Sequence, residues 1–568
     1  MTLVRGNYKR WKLEAILTTK CQSIIIASDS VRTLSSPIAM ASLAQQFMRE
    51  LKTPRAWLFL LLLPLFLLLA RYSLSTFSTT REKRRRQQVA DDHLPPSPPA
   101  LPVLGHLHLV GLLPHISLRS LARKHGMDLM PLRLGSMPVL VVSSPRAAEA
   151  VLRAHDHVFA SRPHSLVAEI VLYGPSDVGF APHGDYWRKA RKLVTTHLLS
   201  VKKVQSLRLA REEEVTMVMA RIGEAAAAGA AVDMSDLLGS FINDLGCRAV
   251  MGKSFRSEGR NKLLRELIED TSPLLAGFNV EEFFPFLARF GVLSKVVRVK
   301  SERLRRRWDE LLDRLIEDHE SKYLAVALGD SSKDDDDLIH VLLSVRQEYG
   351  LTRDQMKAIL LDVFFGGIGT ASSMLDFTMA ELIRKPHMME KLQAEFNSSV
   401  PEGLELVTEA DLSADMPYLR AVIKESLRLH PVAPLLPHFS MASCSIDGHT
   451  IPAGLQVLIN SWAIGRDARY WEDAEEFIPE RFIGDGSASH VNFKGNDFQF
   501  LPFGSGRRMC AGVNFGIACI ELMLANLVHR FDWELPVGKK RGDIDMSEVF
   551  GLVVSRKEKL VLVPKLRV

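Results

Sequence analysis

Cys510 is the side chain with the strongest claim to chemistry. It stands in Phe503-Gly504-Ser505-Gly506-Arg507-Arg508-Met509-Cys510-Ala511-Gly512, and a helix-like run from Val513 to Phe531 follows. A glycine-rich turn at a helix N-terminus can aim backbone N–H groups and the positive end of the helix dipole at a thiolate, and Arg507 and Arg508 add positive charge. A nucleophile and a metal ligand both fit that setting. Cys247, Cys444 and Cys519 lack such surroundings and read as small buried hydrophobes. The five cysteines, Cys21 included, contain no C-x-x-C pair, which fits a reducing compartment rather than a disulfide framework.

A second group of unusual residues lies on a helix. Thr352-Arg353-Asp354-Gln355 is a capping box, and no proline follows until Pro386, so a helix from about Thr352 to Lys385 would run ~50 Å. Gly366, Gly367 and Gly369 sit in its middle. Three interior glycines cost about 3 kcal/mol relative to alanine, so the site needs a close backbone approach or a local opening of the helix. A dinucleotide-binding turn is a weaker reading, because GIGTAS lacks the third glycine and no strand boundary precedes it.

The elements that must position these residues are mainly helical. Apolar periodicity dominates from about 185 to 430, while alternating segments are few: Leu132 to Val142, Gln456 to Asn460 and Lys559 to Val563. With 568 residues and 47% hydrophobic composition the chain can bury a large core. Its net charge of +6 is uneven: the first ninety residues hold 15 basic and 4 acidic side chains, leaving 57 against 62 in the rest. The body is slightly acidic and makes no charge case for nucleic acid.

The N-terminus reads as a membrane segment. Ala56 to Ala70 is uncharged, and continuation to Phe77 gives ~33 Å of helix if Arg71 snorkels. Arg81, Lys83, Arg84, Arg85 and Arg86 follow, outweighing Arg49, Lys52 and Arg55, so a single anchor over 51–77 would leave the body cytosolic. Residues 1–39 resemble a transit segment, or form a non-native extension ahead of a start at Met40. Residues 81–105 combine the basic stop-transfer block with LPPSPPALPVLG, a stiff proline-rich hinge.

The stretch Phe503 to Gly512 resembles the haem-binding signature F-x-x-G-x-R-x-C-x-G of the cytochrome P450 family. Glu425-Ser426-Leu427-Arg428 is similar to the family's E-x-x-R, and Pro479-Glu480-Arg481-Phe482 to the segment that supplies its partner arginine. Trp187-x-x-x-Arg191 resembles the pattern whose Trp and Arg reach the haem propionates. The resemblance runs from the hinge to the C-terminus and looks most like the plant microsomal A-type group. It implies a mainly α fold with a small β portion over 106–568, preceded by the single transmembrane helix.

By the same resemblance Cys510 is the axial ligand of the iron of haem b, with Phe503, Gly506, Arg508, Gly512, Trp187, Arg191, Glu425, Arg428 and Arg481 in the cofactor-binding set. Glu425, Arg428 and Arg481 would lock the segment beneath the haem. Gly367, Gly369 and Thr370 fall where the oxygen-binding helix carries its catalytic residues, and a thiolate opposite the bound oxygen favours O–O cleavage. Gly369 departs from the pattern, standing where a proton-relaying carboxylate is usual. Pro431 to His438 departs too, being one residue short and ending in His438 where an arginine to a propionate is common.

The function implied is an endoplasmic-reticulum monooxygenase fed by NADPH through cytochrome P450 reductase. Its cavity walls, Leu166 to Val178, Phe278 to Phe290, Phe364 to Thr370, Val432 to Leu436 and Val549 to Val553, are largely apolar, so the substrate is a small hydrophobic compound. The group's repertoire places a plant terpenoid slightly ahead of a phenylpropanoid or an indole or oxime derivative. The alternatives are a dehydratase or isomerase on the same scaffold that consumes no O2, and a haem-binding membrane protein without turnover.

Overall fold

The computed structural model describes residues 95–567, except 127, 175, 253–259, 277–279, 285–291, 328–336, 402 and 413–415. The described residues belong to one of two compact units, Asp92–Val568. The segment at 1–39, the anchor at 51–77 and the basic block lie outside them.

The glycine-bearing helix spans Arg353–Arg384 and forms the axis of the unit. Both arms of the capping box are made, Gln355 N–H to Thr352 Oγ1 at 3.2 Å and Thr352 N–H to Gln355 Oε1 at 2.9 Å. Its C-cap is Lys385, directly before Pro386, which starts the next helix, Pro386–Ser399. The helix is apolar on every side because it runs through the core, packing on Met234–Met251 along one flank and on Val513–Arg530 along another. Among the described residues it is the one helix long and apolar enough to cross a membrane, yet most of its apolar residues are buried inside the fold.

Strands are a minor part. A hairpin of Leu129–Leu134 and Met137–Val142 pairs antiparallel, and its second strand runs parallel to Gln456–Asn460. Leu435–Phe439 closes this four-stranded sheet, with His438 opposite Val457. A second sheet joins Val232–Asp233, Val561–Leu566 and Phe531–Glu534. Gly135 turns the hairpin that the sequence placed over Leu132 to Val142. The strand at Leu435–Phe439 was not expected, since Pro437 breaks the periodic pattern; it is tolerated because this strand lies at the sheet edge.

The described part of the proline-rich segment is fastened to the body. Pro95 and Pro98 are buried, Ser97 donates to the Pro131 carbonyl at 2.7 Å, and His106 Nε2 lies 2.7 Å from the Pro98 carbonyl. Prolines cannot supply ladder donors, so side chains and carbonyls make the attachment instead.

Replacing Thr352 with alanine removes one arm of the capping box and should weaken the first turn of the axial helix by about 1 kcal/mol, or roughly fivefold in local opening. Hydrogen exchange at Arg353 to Met356 measures this, with the helix centre unchanged.

Candidate active site

Between the axial helix and the Cys510 loop lies a cavity of about 370 Å³. The loop's shape comes from its glycines. Gly504 and Gly506 take φ of 68° and 67°, and a Cβ on Gly506 would lie 2.6 Å from the Leu152 carbonyl oxygen, so only glycine fits there. The Cys510 N–H then donates to Phe503 O at 2.9 Å, and Gly512 caps the helix Val513–Arg530. Phe503, Cys510 and Gly512 all face the cavity, whereas Gly506 packs against Leu152 and serves the turn alone.

Cys510 is open to the cavity although protein encloses it on all sides. Burial pushes its thiol above the usual range, against weaker opposing pulls from the Gly512 N–H and Arg191. The charges expected from the next residues are spent elsewhere. Arg507 pairs with Asp156, and Arg508 turns back to donate to three backbone carbonyls, Ala160 at 2.6 Å, Val178 at 3.1 Å and Ala181 at 2.6 Å. A cysteine held this way keeps its proton and is a poor nucleophile; a metal cation, which displaces that proton, is the partner that suits it.

The edge of the cavity is strongly positive. Arg162, Arg191 and Arg508 all line it, and none makes an ion pair among the described residues. Arg191 donates to Met509 O at 2.5 Å, and Arg508 stacks over Trp187 at 4.1 Å from the ring centre. Burial, reinforced by Arg162, drives the Arg508 guanidinium down to about 9, and burial brings Arg162 to about 10. Three desolvated cations that make no ion pair among the described residues call for an anionic group at this edge. The Trp187 indole N–H donates to Val178 O at 3.0 Å, and the residue lines the cavity.

His438 does not replace the missing arginine. Burial pushes it down to about 3, so it is neutral, with Nδ1 2.8 Å from Phe159 O. Arg162, which sequence reasoning passed over, bonds the neighbouring Pro437 carbonyl and supplies a cation there. No local signal marks it; the bridge from Ser161 to Phe439 brings it in.

The axial helix forms the opposite wall. It is unbroken, so the expected local opening does not occur. Gly366 and Gly367 leave open space where side chains would stand, and Thr370 Oγ1 donates to Gly366 O at 2.8 Å. Gly369 is not on the cavity surface: a Cβ there would meet Val553 at 3.3 Å. A side chain there would pack first on Val553, which itself lines the cavity. Asp362, the one acidic residue in the wall among the described residues, was also missed, although a lone carboxylate in LLDVFFGG was a legible signal.

Glu425, Arg428 and Arg481 lie outside the cavity, contrary to their place in the cofactor-binding set. All three are buried; Arg428 makes two 2.7 Å bonds to Glu425, and Arg481 Nε a third at 3.1 Å. Arg428 also holds the carbonyls of Gly465, Ala474 and Glu476, and Arg481 that of Glu472. Their work is to knit 465–481 to the helix Pro417–Leu429. Of the expected walls, Leu172, Val178, Phe365, Leu552 and Val553 line the cavity, but Val432 to Leu436 does not. The span Phe278 to Phe290 lies largely outside the described residues.

A metal cation facing a buried cysteine and an anion at one edge are both supplied by an iron porphyrin with its two propionates, so the cavity fits the haem-thiolate class. The chain belongs to the cytochrome P450 family, whose profile matches residues 95–563. It is 55% identical over 513 residues to indole-2-monooxygenase of Zea mays, covering 89% of this chain and 94% of the relative. Indolin-2-one monooxygenase of Zea mays is 53% identical (86% and 92% covered), and 3-hydroxyindolin-2-one monooxygenase of Zea mays 50% (83% and 89%). A solved zebra fish cytochrome P450 with abiraterone aligns with a TM-score of 0.66 at 25% identity, covering 80% of this chain and all of that one.

These likenesses make the protein a plant A-type cytochrome P450, an oxygen-incorporating oxidoreductase that uses haem, with electrons drawn in this family from NADPH through a reductase. The alternatives without O2 consumption or without turnover are thereby set aside.

Replacing Glu425 with alanine leaves two buried guanidiniums uncompensated and should destabilise the protein by about 3–5 kcal/mol. The expected readout is a lower urea midpoint and little folded protein, while Arg507→Ala, which removes only an exposed pair, should shift the midpoint by less than about 1 kcal/mol equivalent.

Proposed function

We propose that the chain is a monooxygenase of indole-type compounds in which Cys510 Sγ holds the haem iron and Arg162, Arg191 and Arg508 hold the propionates. The observation that carries the cofactor assignment is the pairing of a cavity-facing Cys510 with three buried guanidiniums that make no ion pair among the described residues. The substrate class rests on the relatives at 50–55% identity, all named for indole or its oxidised derivatives. An apolar wall that includes Phe180, Phe365 and Leu552 accommodates a small bicyclic ring. None of these three relatives is named for a terpenoid, the class that the sequence placed slightly ahead.

When bound, haem supplies the redox chemistry that activates O2. The protein's part is exclusion of bulk water and delivery of protons. Thr370 donates its hydroxyl proton to Gly366 O, which leaves its oxygen lone pairs for a water in the space over Gly366 and Gly367. That hydroxyl and water would take over the relay from the carboxylate that Gly369 lacks. The anchor at 51–77 would place this body on the cytosolic side of the endoplasmic reticulum, beside its reductase.

Reduced protein under carbon monoxide should show the red-shifted Soret band of a thiolate complex; Cys510→Ser should abolish it, and Cys519→Ser should not. Retention of the band in Cys510→Ser would overturn the ligand assignment. For the substrate class, indole and indolin-2-one should displace water from the ferric haem spectrally at lower concentrations than limonene, and product should require both NADPH and O2.

Thr370→Ala should raise peroxide per NADPH several-fold without altering the carbon monoxide spectrum. Gly369→Asp meets Val553, so it should improve coupling only in combination with Val553→Ala. Simultaneous measurement of product, peroxide and NADPH reads both outcomes.

A further inference from the structure

Asp362 stands four and eight residues before Gly366 and Thr370, on the same face of the axial helix. Its Oδ2 accepts the Val178 N–H at 2.5 Å and the Gly179 N–H at 3.3 Å. Those two residues and Phe180, all in the loop 177–181, line the cavity. The loop is closed on itself by Asp177, whose Oδ2 accepts the Phe180 N–H at 2.5 Å.

Val178 is held from its other side as well. Its carbonyl accepts Trp187 Nε1 at 3.0 Å and Arg508 Nη1 at 3.1 Å, and Ala181 O accepts Arg508 Nη2 at 2.6 Å. One loop residue is thus gripped by the helix wall through its N–H and by the cationic edge through its carbonyl. Gly179 makes the approach close: a Cβ there would lie 3.1 Å from Asp362 Oδ1 and 3.6 Å from Asp177 Oδ2. Its φ is not in the left-handed region, so proximity and not backbone conformation is the reason for glycine.

We propose that Asp362 is a positioning residue that pins the loop 177–181 to the axial helix, thereby setting the roof of the substrate cavity and holding it in register with Trp187 and Arg508. Burial, and then the charge of Asp177, push the Asp362 carboxyl well above the usual range, against opposing pulls from the Val178 and Gly179 N–H groups and then Arg508. The pin works through Oδ2, which accepts both N–H groups and needs no charge to do so. Asparagine has the same shape and the same acceptor. This inference is independent of the indole reading.

The test compares Asp362→Ala, Asp362→Asn and Gly179→Ala holoenzymes by hydrogen exchange and by spectral titration with imidazole and 4-phenylimidazole. The small ligand needs only the iron face, whereas the larger one must also fit beneath the loop. Asp362→Ala and Gly179→Ala should each exchange about fivefold faster across 176–182 and bind 4-phenylimidazole about fivefold more weakly, with imidazole changed less than about twofold and the carbon monoxide spectrum kept. Asp362→Asn should stay within about twofold of the parent in every measurement. If Asp362→Ala fails to fold, Gly179→Ala decides. Unchanged exchange at 176–182, equal loss for both imidazoles, or an Asp362→Asn protein as impaired as the alanine variant would each overturn the proposal.

Discussion

The body of this enzyme hangs on a carboxylate that never meets solvent. Glu425 accepts from Arg428 twice, from Arg481 and from the Ile478 N–H at 2.7 Å, with no exposed surface of its own. Burying such a charge is unfavourable by several kcal/mol unless its hydrogen bonds are complete, and here they are. The two arginines then use their remaining donors on carbonyls from Glu472 to Glu476 and Gly465, so an irregular stretch of chain acquires the rigidity of a sheet without forming one. The segment that leads on to the Cys510 loop starts from this fixed point.

The cavity shows the opposite arrangement of charge. At Glu425 both guanidiniums meet a carboxylate directly; at the cavity edge the hydrogen bonds of Arg162, Arg191 and Arg508 go to backbone carbonyls, and burial depresses all three. Cys510 is likewise pushed towards its neutral form. Both imbalances are relieved by one ligand, a cation against the sulfur with anionic arms towards the guanidiniums.

The axial helix reconciles packing with reaction. Glycine at 366 and 367 keeps space over the cavity while the hydrogen-bonded helix continues, and Thr370 returns its hydroxyl to Gly366 O without breaking the ladder. Gly369, one residue from Thr370, points 100° round the helix and meets Val553 instead. A position that looks catalytic in the linear pattern is one where an added side chain would first meet Val553.

Local pattern determined a good part of this protein. The capping box and Pro386 bounded the axial helix, the glycines of 503–512 specified a turn below a helix, and the strand at Gln456–Asn460 was legible from its alternation, because each depends on neighbours within a few residues. The resemblance of spaced motifs identified the family and its cofactor. Tertiary structure alone decided which residues reach the cavity. It brought in Arg162 through a bridge to Phe439 and Asp362 through the loop at Val178, and it turned Arg507 away and sent Gly369 into packing. It also committed the positive charges adjacent to Cys510 in sequence, Arg507 to Asp156 and Arg508 to backbone carbonyls, and left burial, which no linear pattern reports, as the largest influence on the free thiol.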